Sequence, residues 1–290
     1  MLDIWCEKYR PDNINKMILS EDYINKFSNM INNKQLSGNL LFYGKPGSGK
    51  TTLAKILAKS VSSDVKFINA SDEGNIETVR TKIRDYAEGQ TFGNKYRIVI
   101  LDEFDGFRSN DAFLALRPII EMFSDNLRLI ATCNYIQKIP APILSRFQTF
   151  EFKPIQNEDM VVYIKEKVLK VENVVFKDED LLKVIINNKG DFRRTLNDIQ
   201  GSLIGNNLKI NTTDKIEELM KIIQLKNNIE ALKKFLAENQ IDYLQVYKYL
   251  FDKTKVPRLL LLIAEYMKSD YFVMDKEINF CAFIISMWNL

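Results

Sequence analysis

The run Gly44-Lys-Pro-Gly47-Ser48-Gly49-Lys50-Thr51-Thr52 places a cation and two hydroxyls directly after a glycine-rich turn. The spacing Gly44-x-x-x-x-Gly49-Lys50-Thr51 fits a Walker A phosphate loop, and its context fits too: apolar Leu40 to Tyr43 before it, a helical pattern after it. Without Cβ atoms, successive backbone N–H groups can turn inward around phosphate oxygens, and the positive end of the new helix favours the anion. Gly44, Gly47, Ser48, Gly49, Lys50, Thr51 and Thr52 are therefore expected to hold a nucleotide. Lys50 would reach its β- and γ-phosphates, and the Thr51 hydroxyl would bind Mg2+.

A second stretch, Arg97-Ile-Val-Ile-Leu-Asp102-Glu103-Phe-Asp105, is an apolar strand that ends in carboxylates. Ligands of parallel α/β sheets sit at that end of the strands. Asp102 is expected on Mg2+, directly or through water, and Glu103 is expected to orient and deprotonate an attacking water. The chain has no histidine, so carboxylates must do any general-base work. Asn134 ends another buried strand, Leu127 to Cys133; it suits either a water against the γ-phosphate or an ordinary strand end. In Gly190-Asp191-Phe192-Arg193-Arg194, Asp191 can cap a helix whose first turn carries two arginines. Cations there oppose the helix dipole, which favours a phosphate-facing role for one of them.

The elements that must position these groups alternate. Helices are expected at about 21–33 and 76–87, the second with Ile76, Val79, Ile83 and Ala87 inward and Arg80 and Arg84 together on a more exposed face. Pro118 should bend or break a helix expected over 110–123. Five strands separated by helices predict a three-layer parallel α/β domain over residues 1–153. After Pro154 the pattern becomes helical: a small bundle over 154–212, a polar linker near Gly205, then helices over 213–290 broken near Asn227, Gln240 and Pro257. Leu259, Leu262, Ile263 and Tyr266 form a packing stripe.

The 290 residues carry a net charge of +3, too small to demand or exclude nucleic acid. Three widely spaced cysteines suggest a reducing compartment and no zinc site. No apolar run is long enough to span a bilayer, so no membrane partner and a cytoplasmic location are expected.

Together EKYRP, GKPGSGKT, NASDEGNIETVRTKI, LDEFD, ATCN, SRF and GDFRR resemble, in order and approximate spacing, the clamp-loader ATPases of the AAA+ class. The resemblance covers about residues 5–200. LDEFD, LRLIATCNY followed by SRF, and DFRR are most similar to the large ATPase subunits of T4-type phage loaders; cellular replication factor C small subunits are similar but slightly farther. The resemblance implies that Tyr9, Arg10 and Pro11 lie along adenine and ribose, that Asn134 is sensor 1, and that Arg193 is sensor 2 on a lid domain. It makes Arg146 of SRF an arginine finger that reaches a neighbouring subunit's nucleotide. Asn75, Ile76, Arg80 and Arg84 match the segment that tracks the DNA backbone. At three places the chain departs from the pattern. SRF stands for SRC, Phe113-Leu114 replaces the glutamine pair of replication factor C small subunits, and Pro118 follows Arg117 where another arginine is common. The last two bear on coupling between DNA and the active site.

The activity so implied is DNA- and clamp-stimulated ATP hydrolysis that loads a sliding clamp onto primer–template DNA during replication. The implied assembly is a homo-oligomer of four copies with a non-identical small subunit, joined through a helical collar at 213–290; for a phage protein the compartment would be the bacterial host's cytoplasm. The alternatives are another AAA+ machine, such as a helicase loader or branch-migration motor, and a structural loader subunit without turnover.

Overall fold

The computed structural model describes residues 3–72, 76–89, 96–107, 113–114, 116–208, 212–225, 228–239 and 241–290, and no side chains at 76–78, 212–215 or 217. It divides into two compact units, 1–208 and 209–290.

Short apolar runs bounded by turn formers become the strands of the first unit. β1 (Leu40–Gly44), β2 (Val65–Asn69), β3 (Arg97–Asp102), β4 (Leu127–Cys133) and β5 (Gln148–Phe152) lie in the order β2-β3-β4-β1-β5. All four pairings are parallel. Successive side chains point to opposite faces, so each central strand feeds two cores. Leu41, Val99, Leu101, Leu129 and Ala131 join one apolar cluster; Leu40, Phe42, Ile98, Ile100 and Ile130 join the other.

Helices cover both faces. The arm at the start of the chain contains α1 (Trp5–Lys8). α2 (Glu21–Asn32) and α3 (Lys50–Val61) close the second cluster through Phe27, Leu53, Leu57 and Val61. Leu53 and Leu57 are fully buried, worth about 2 kcal/mol each. α4 (Ile76–Glu88) buries Val79, Ile83 and Ala87 against the first cluster, as its spacing predicts, while the Ile76 side chain lies outside the described residues. α5 (Arg117–Met122) and α6 (Ala141–Leu144) lie on the same face through Ile119, Ile120 and Ile143.

Phe113 and Leu114 are helical, Leu116 is a turn and α5 begins at Arg117, so the helix expected over 110–123 is broken just before Pro118. The proline sits in the first turn of α5, where the missing N–H has no intrahelical acceptor to satisfy and the fixed φ suits the helix start. Phe113, just upstream, is buried against Phe104 and Phe107, with ring centroids 5.2 and 5.3 Å apart.

The chain leaves β5 for three helices: α7 (Asn157–Ile164), α8 (Asp178–Asn187) and α9 (Phe192–Gly201). Met160, Ile164, Leu181, Ile185, Leu196 and Ile199 are buried among them. α7 runs on into a π-turn, Lys165–Leu169, in which the Lys170 N–H donates five residues back to the Lys165 carbonyl at 3.1 Å. Strands do not stop at Pro154. Leu203–Ile204 and Asn207–Leu208 form a small hairpin through Gly205, whose φ of +61° a glycine adopts without strain.

Among the described residues the second unit consists of helices and their connections: α10 (Thr212–Gln224), α11 (Ile229–Glu238), α12 (Tyr243–Lys253), α13 (Pro257–Ser269) and α14 (Lys276–Trp288). Leu259, Leu262, Ile263 and Tyr266 pack within this unit, on Tyr247, Phe280, Phe283 and their neighbours. The Trp288 indole N–H donates to the Ile223 carbonyl at 2.7 Å, tying the last helix to the first. A break between α13 and α14 adds to those expected from the sequence. No helix among the described residues is long and apolar enough to cross a membrane.

Candidate functional site

The phosphate loop grows from the end of β1. Gly44 is in register with Phe152 of β5, and a Cβ there would meet the Phe152 carbonyl oxygen at 2.1 Å. Gly47 has a φ of +70°, and a Cβ on it would fall 1.9 Å from the Asp191 carboxylate. Gly49, at φ +94°, caps α3, so Lys50 and Thr51 open that helix. Lys50 is buried, and its ammonium donates to the Gly44 and Lys45 carbonyls, each at 2.8 Å. That burial holds its pKa below the ordinary lysine value.

β3 delivers Asp102 to the same place. The Thr51 hydroxyl donates to Asp102 Oδ1 at 2.7 Å, and the Thr132 hydroxyl of β4 donates to the same oxygen at 2.5 Å. A carboxylate beside a hydroxyl is an oxygen donor set for a hard divalent cation. Among the described residues no group of three or more His, Cys, Asp or Glu could hold a metal alone. A cation here would share its coordination with phosphate oxygens, in the manner of Mg2+.

Glu103 is held in the left-handed region, φ +52°, at a cost of about 1–2 kcal/mol. Its N–H donates to Thr132 Oγ1 at 3.2 Å, and its carbonyl accepts from the Gly106 N–H at 2.8 Å. The turn aims its carboxylate at Ser71, whose hydroxyl donates to it. Asp105, buried, accepts from the Asn134 and Tyr135 N–H groups at 3.2 and 2.9 Å and so fixes the end of β4. Beside it, burial pushes the Cys133 thiol up to about 12.

One cavity gathers most of the expected residues. Tyr9, Arg10, Pro11, Gly47, Ser48, Gly49, Lys50, Thr51, Thr52, Asp102, Glu103, Asn134 and Arg193 all line it. Arg10 Nε is buried in its wall without a hydrogen-bond partner, while the Arg10 guanidinium also pairs with Glu7 at 2.5 Å. Asp191 caps α9, accepting from the Arg194 N–H at 3.0 Å, and the Phe192 N–H donates to the Gly47 carbonyl at 3.3 Å. The two arginines divide: Arg193 lines the cavity, while Arg194 lies 3.9 Å from Asp198.

Arg146 is elsewhere. It follows α6 and pairs with Glu121 of α5, Nε to Oε1 at 3.1 Å; Glu121 also pairs with Arg117 at 3.3 Å. Phe147 beside it stacks toward Phe104, ring centroids 6.0 Å apart. The two apolar departures, Phe113 and Phe147, thus pack on one ring next to Glu103. Arg80 and Arg84 are both half-buried on α4. Ile76 opens that helix, and Asn75 lies outside the described residues. Thr132, Asp105 and Ser71 are residues that sequence reasoning passed over. Asp105 stands inside LDEFD, whereas the hydroxyls carry no pattern that marks them.

The family of ATPases associated with various cellular activities matches residues 40–155. The chain is similar to the replication factor C small subunit of Methanococcus vannielii, 33% identical over 261 residues, which cover 86% of this chain and 79% of that one. It is 35% identical to that of Archaeoglobus fulgidus, covering 83% and 79%, and 30% identical to that of Staphylothermus marinus, covering 97% and 93%. Among solved structures, the RuvB Holliday junction branch migration motor of Thermotoga maritima superposes with a TM-score of 0.51 at 16% identity, covering 81% of this chain and 74% of that one. At that identity the likeness is one of fold. Phosphate loop, sheet order and relatives along most of the chain agree: it belongs to the replication factor C small-subunit family of clamp-loader AAA+ ATPases.

Proposed function

We propose that this chain is the ATP-hydrolysing subunit of a sliding-clamp loader, one that shares each active site between neighbouring copies. The observation that carries this is the division of the expected groups. Most of those expected to bind and cleave ATP within one subunit line a single cavity, whereas Arg146 stands just past α6, paired with Glu121. In this reading the glycine loop and Lys50 take the phosphates, and Tyr9, Arg10 and Pro11 take adenine and ribose. Mg2+, held by Thr51 and Asp102, would neutralise charge on the phosphate oxygens. Glu103 takes the proton of the attacking water, Asn134 orients that water, and Arg193 senses the γ-phosphate. Arg146 of one copy stabilises charge at the next copy's site, an effect worth several orders of magnitude in comparable enzymes.

Residues 1–153 would form the nucleotide domain, 154–212 the lid and 213–290 a collar that joins copies to one another and to a non-identical small subunit. ATP shared between copies would favour a spiral that grips clamp and primer–template DNA, and hydrolysis would release both. Arg80, Arg84 and the turn at Asn75-Ile76 would follow the DNA backbone. Because Glu103 is bonded to Ser71 on the segment leading to α4, DNA at α4 has a short route to the general base. The LDEFD, SRF and DFRR forms favour a loader of the T4-type phage kind.

The test is ATPase activity of the assembled loader with and without primed DNA and clamp. Both should be needed for full turnover. An ATPase indifferent to the clamp would point to another AAA+ machine, and an assembly without turnover to a structural subunit.

A further inference from the structure

The arm that begins the chain is fastened to the helices that follow β5. The Trp5 side chain is buried, and its backbone N–H donates to Gln200 Oε1 of α9 at 2.9 Å; Gln200 Nε2 donates back to the Asp3 carbonyl at 3.0 Å. Farther along the arm a single carboxylate makes two bonds. Glu172 accepts from the Tyr9 hydroxyl at 2.5 Å and from the Lys8 ammonium at 2.6 Å. Glu172 stands just past the π-turn Lys165–Leu169, which adds a residue to the helical turn and so changes which face the following side chains occupy. Tyr9 meanwhile lines the cavity along with Phe192 and Arg193.

We infer that Glu172 is a positioning residue for nucleotide binding. By holding the Tyr9 hydroxyl it sets the ring against the cavity, and it ties the arm to the end of the π-turn as Gln200 ties it to α9. The ion pair with Lys8 is solvent-exposed at one end and contributes little alone. The hydroxyl-to-carboxylate bond is the stronger and more directional of the two. The inference rests on the reading of the cavity as an ATP site, and its test separates the two.

Binding of a fluorescent ATP analogue and of ADP to the full chain would be titrated for wild type, Lys50→Ala, Glu172→Ala, Glu172→Gln, Tyr9→Phe and the Tyr9→Phe/Glu172→Ala pair. Glu172→Ala and Tyr9→Phe should each weaken binding about tenfold, the loss of one charge-assisted hydrogen bond. The double variant should be no weaker than either single one. Glu172→Gln keeps an acceptor for the hydroxyl and should recover most of the affinity, though it loses the charge facing Lys8. Affinity within twofold of wild type in Glu172→Ala overturns the inference. So does a Glu172→Gln as weak as Glu172→Ala, since charge on Lys8 would then be the operative feature. If Glu172→Ala fails to fold, Tyr9→Phe decides alone, because it removes only the hydroxyl; unchanged affinity there overturns the inference. Full binding by Lys50→Ala would instead sink the ATP reading itself, whatever Glu172 does.

Discussion

The cavity has two walls built by different means. The phosphate wall is made by backbone: a nine-residue loop from Gly44 to Thr52 and the ends of β3 and β4, which the sheet register holds side by side. The other wall is made by side chains from distant parts of the chain, Tyr9 from the arm and Phe192 and Arg193 from α9, with Tyr9 tied to Glu172 across 163 positions. A wall set by parallel strands moves only if the sheet moves. One set by a few hydrogen bonds can shift against its partner. On the proposed reading, anchoring and sensing fall to different parts of the same site.

Four experiments press on that contrast, taken from the largest effect to the smallest. Arg146 belongs to neither wall, so Arg146→Ala should leave ATP binding to the chain within about twofold while DNA-stimulated turnover of the assembly falls on the order of a thousandfold. Weakened binding would give the cavity a third wall from its own chain and break the comparison. Lys50→Ala strikes the phosphate wall and should lower ATP affinity by about a hundredfold or more in the same titration. Asp191→Ala strikes the sensing wall at its cap. It should cost about 1 kcal/mol of stability, read as a drop of a few degrees in the thermal unfolding of the full chain. The last test uses pH. Lys8 and then the Tyr9 hydroxyl hold the Glu172 carboxyl below the ordinary glutamate value of 4.5. A group depressed in the folded state contributes above its unfolded value and loses its effect as pH falls through the folded one. The affinity ratio between wild type and Glu172→Ala should accordingly stay flat from about pH 8 to pH 6; a ratio that falls within that range would place the effect on another group.

The same contrast explains what could be read from the sequence. The phosphate wall was legible because its residues are close in sequence and their spacing is itself the geometry: Gly44, Gly49, Lys50 and Thr51 could serve little else, and Asp102 ends an apolar run that had to be a buried strand. The five-stranded sheet followed from the same runs. The sensing wall was legible only through resemblance, since nothing in EKYRP or DFRR says where either will lie. Thr132, Ser71 and Glu172 escaped because a hydroxyl or carboxylate acquires its partner only when the fold supplies one. The break before Pro118 was legible from its missing N–H; that the same ring also starts α5 was not, because a fixed φ suits a helix start as well as a helix end. Gly205-Asn206 read as linker and forms a hairpin, because two-residue strands have no periodicity to detect.

The register of Gly44 with Phe152 has one further consequence. Chain leaving β5 runs through Pro154 to α7, and a Cβ on Gly190, just before α9, would sit 2.6 Å from Pro154. The helical bundle is therefore rooted next to the spot where the phosphate loop begins, as a lever is seated beside its fulcrum. A swing about residues 153–156 would displace Arg193 slightly and the bundle's far tip a great deal. If Arg193 senses the γ-phosphate as proposed, loss of that group would be magnified at the bundle's tip within a single chain.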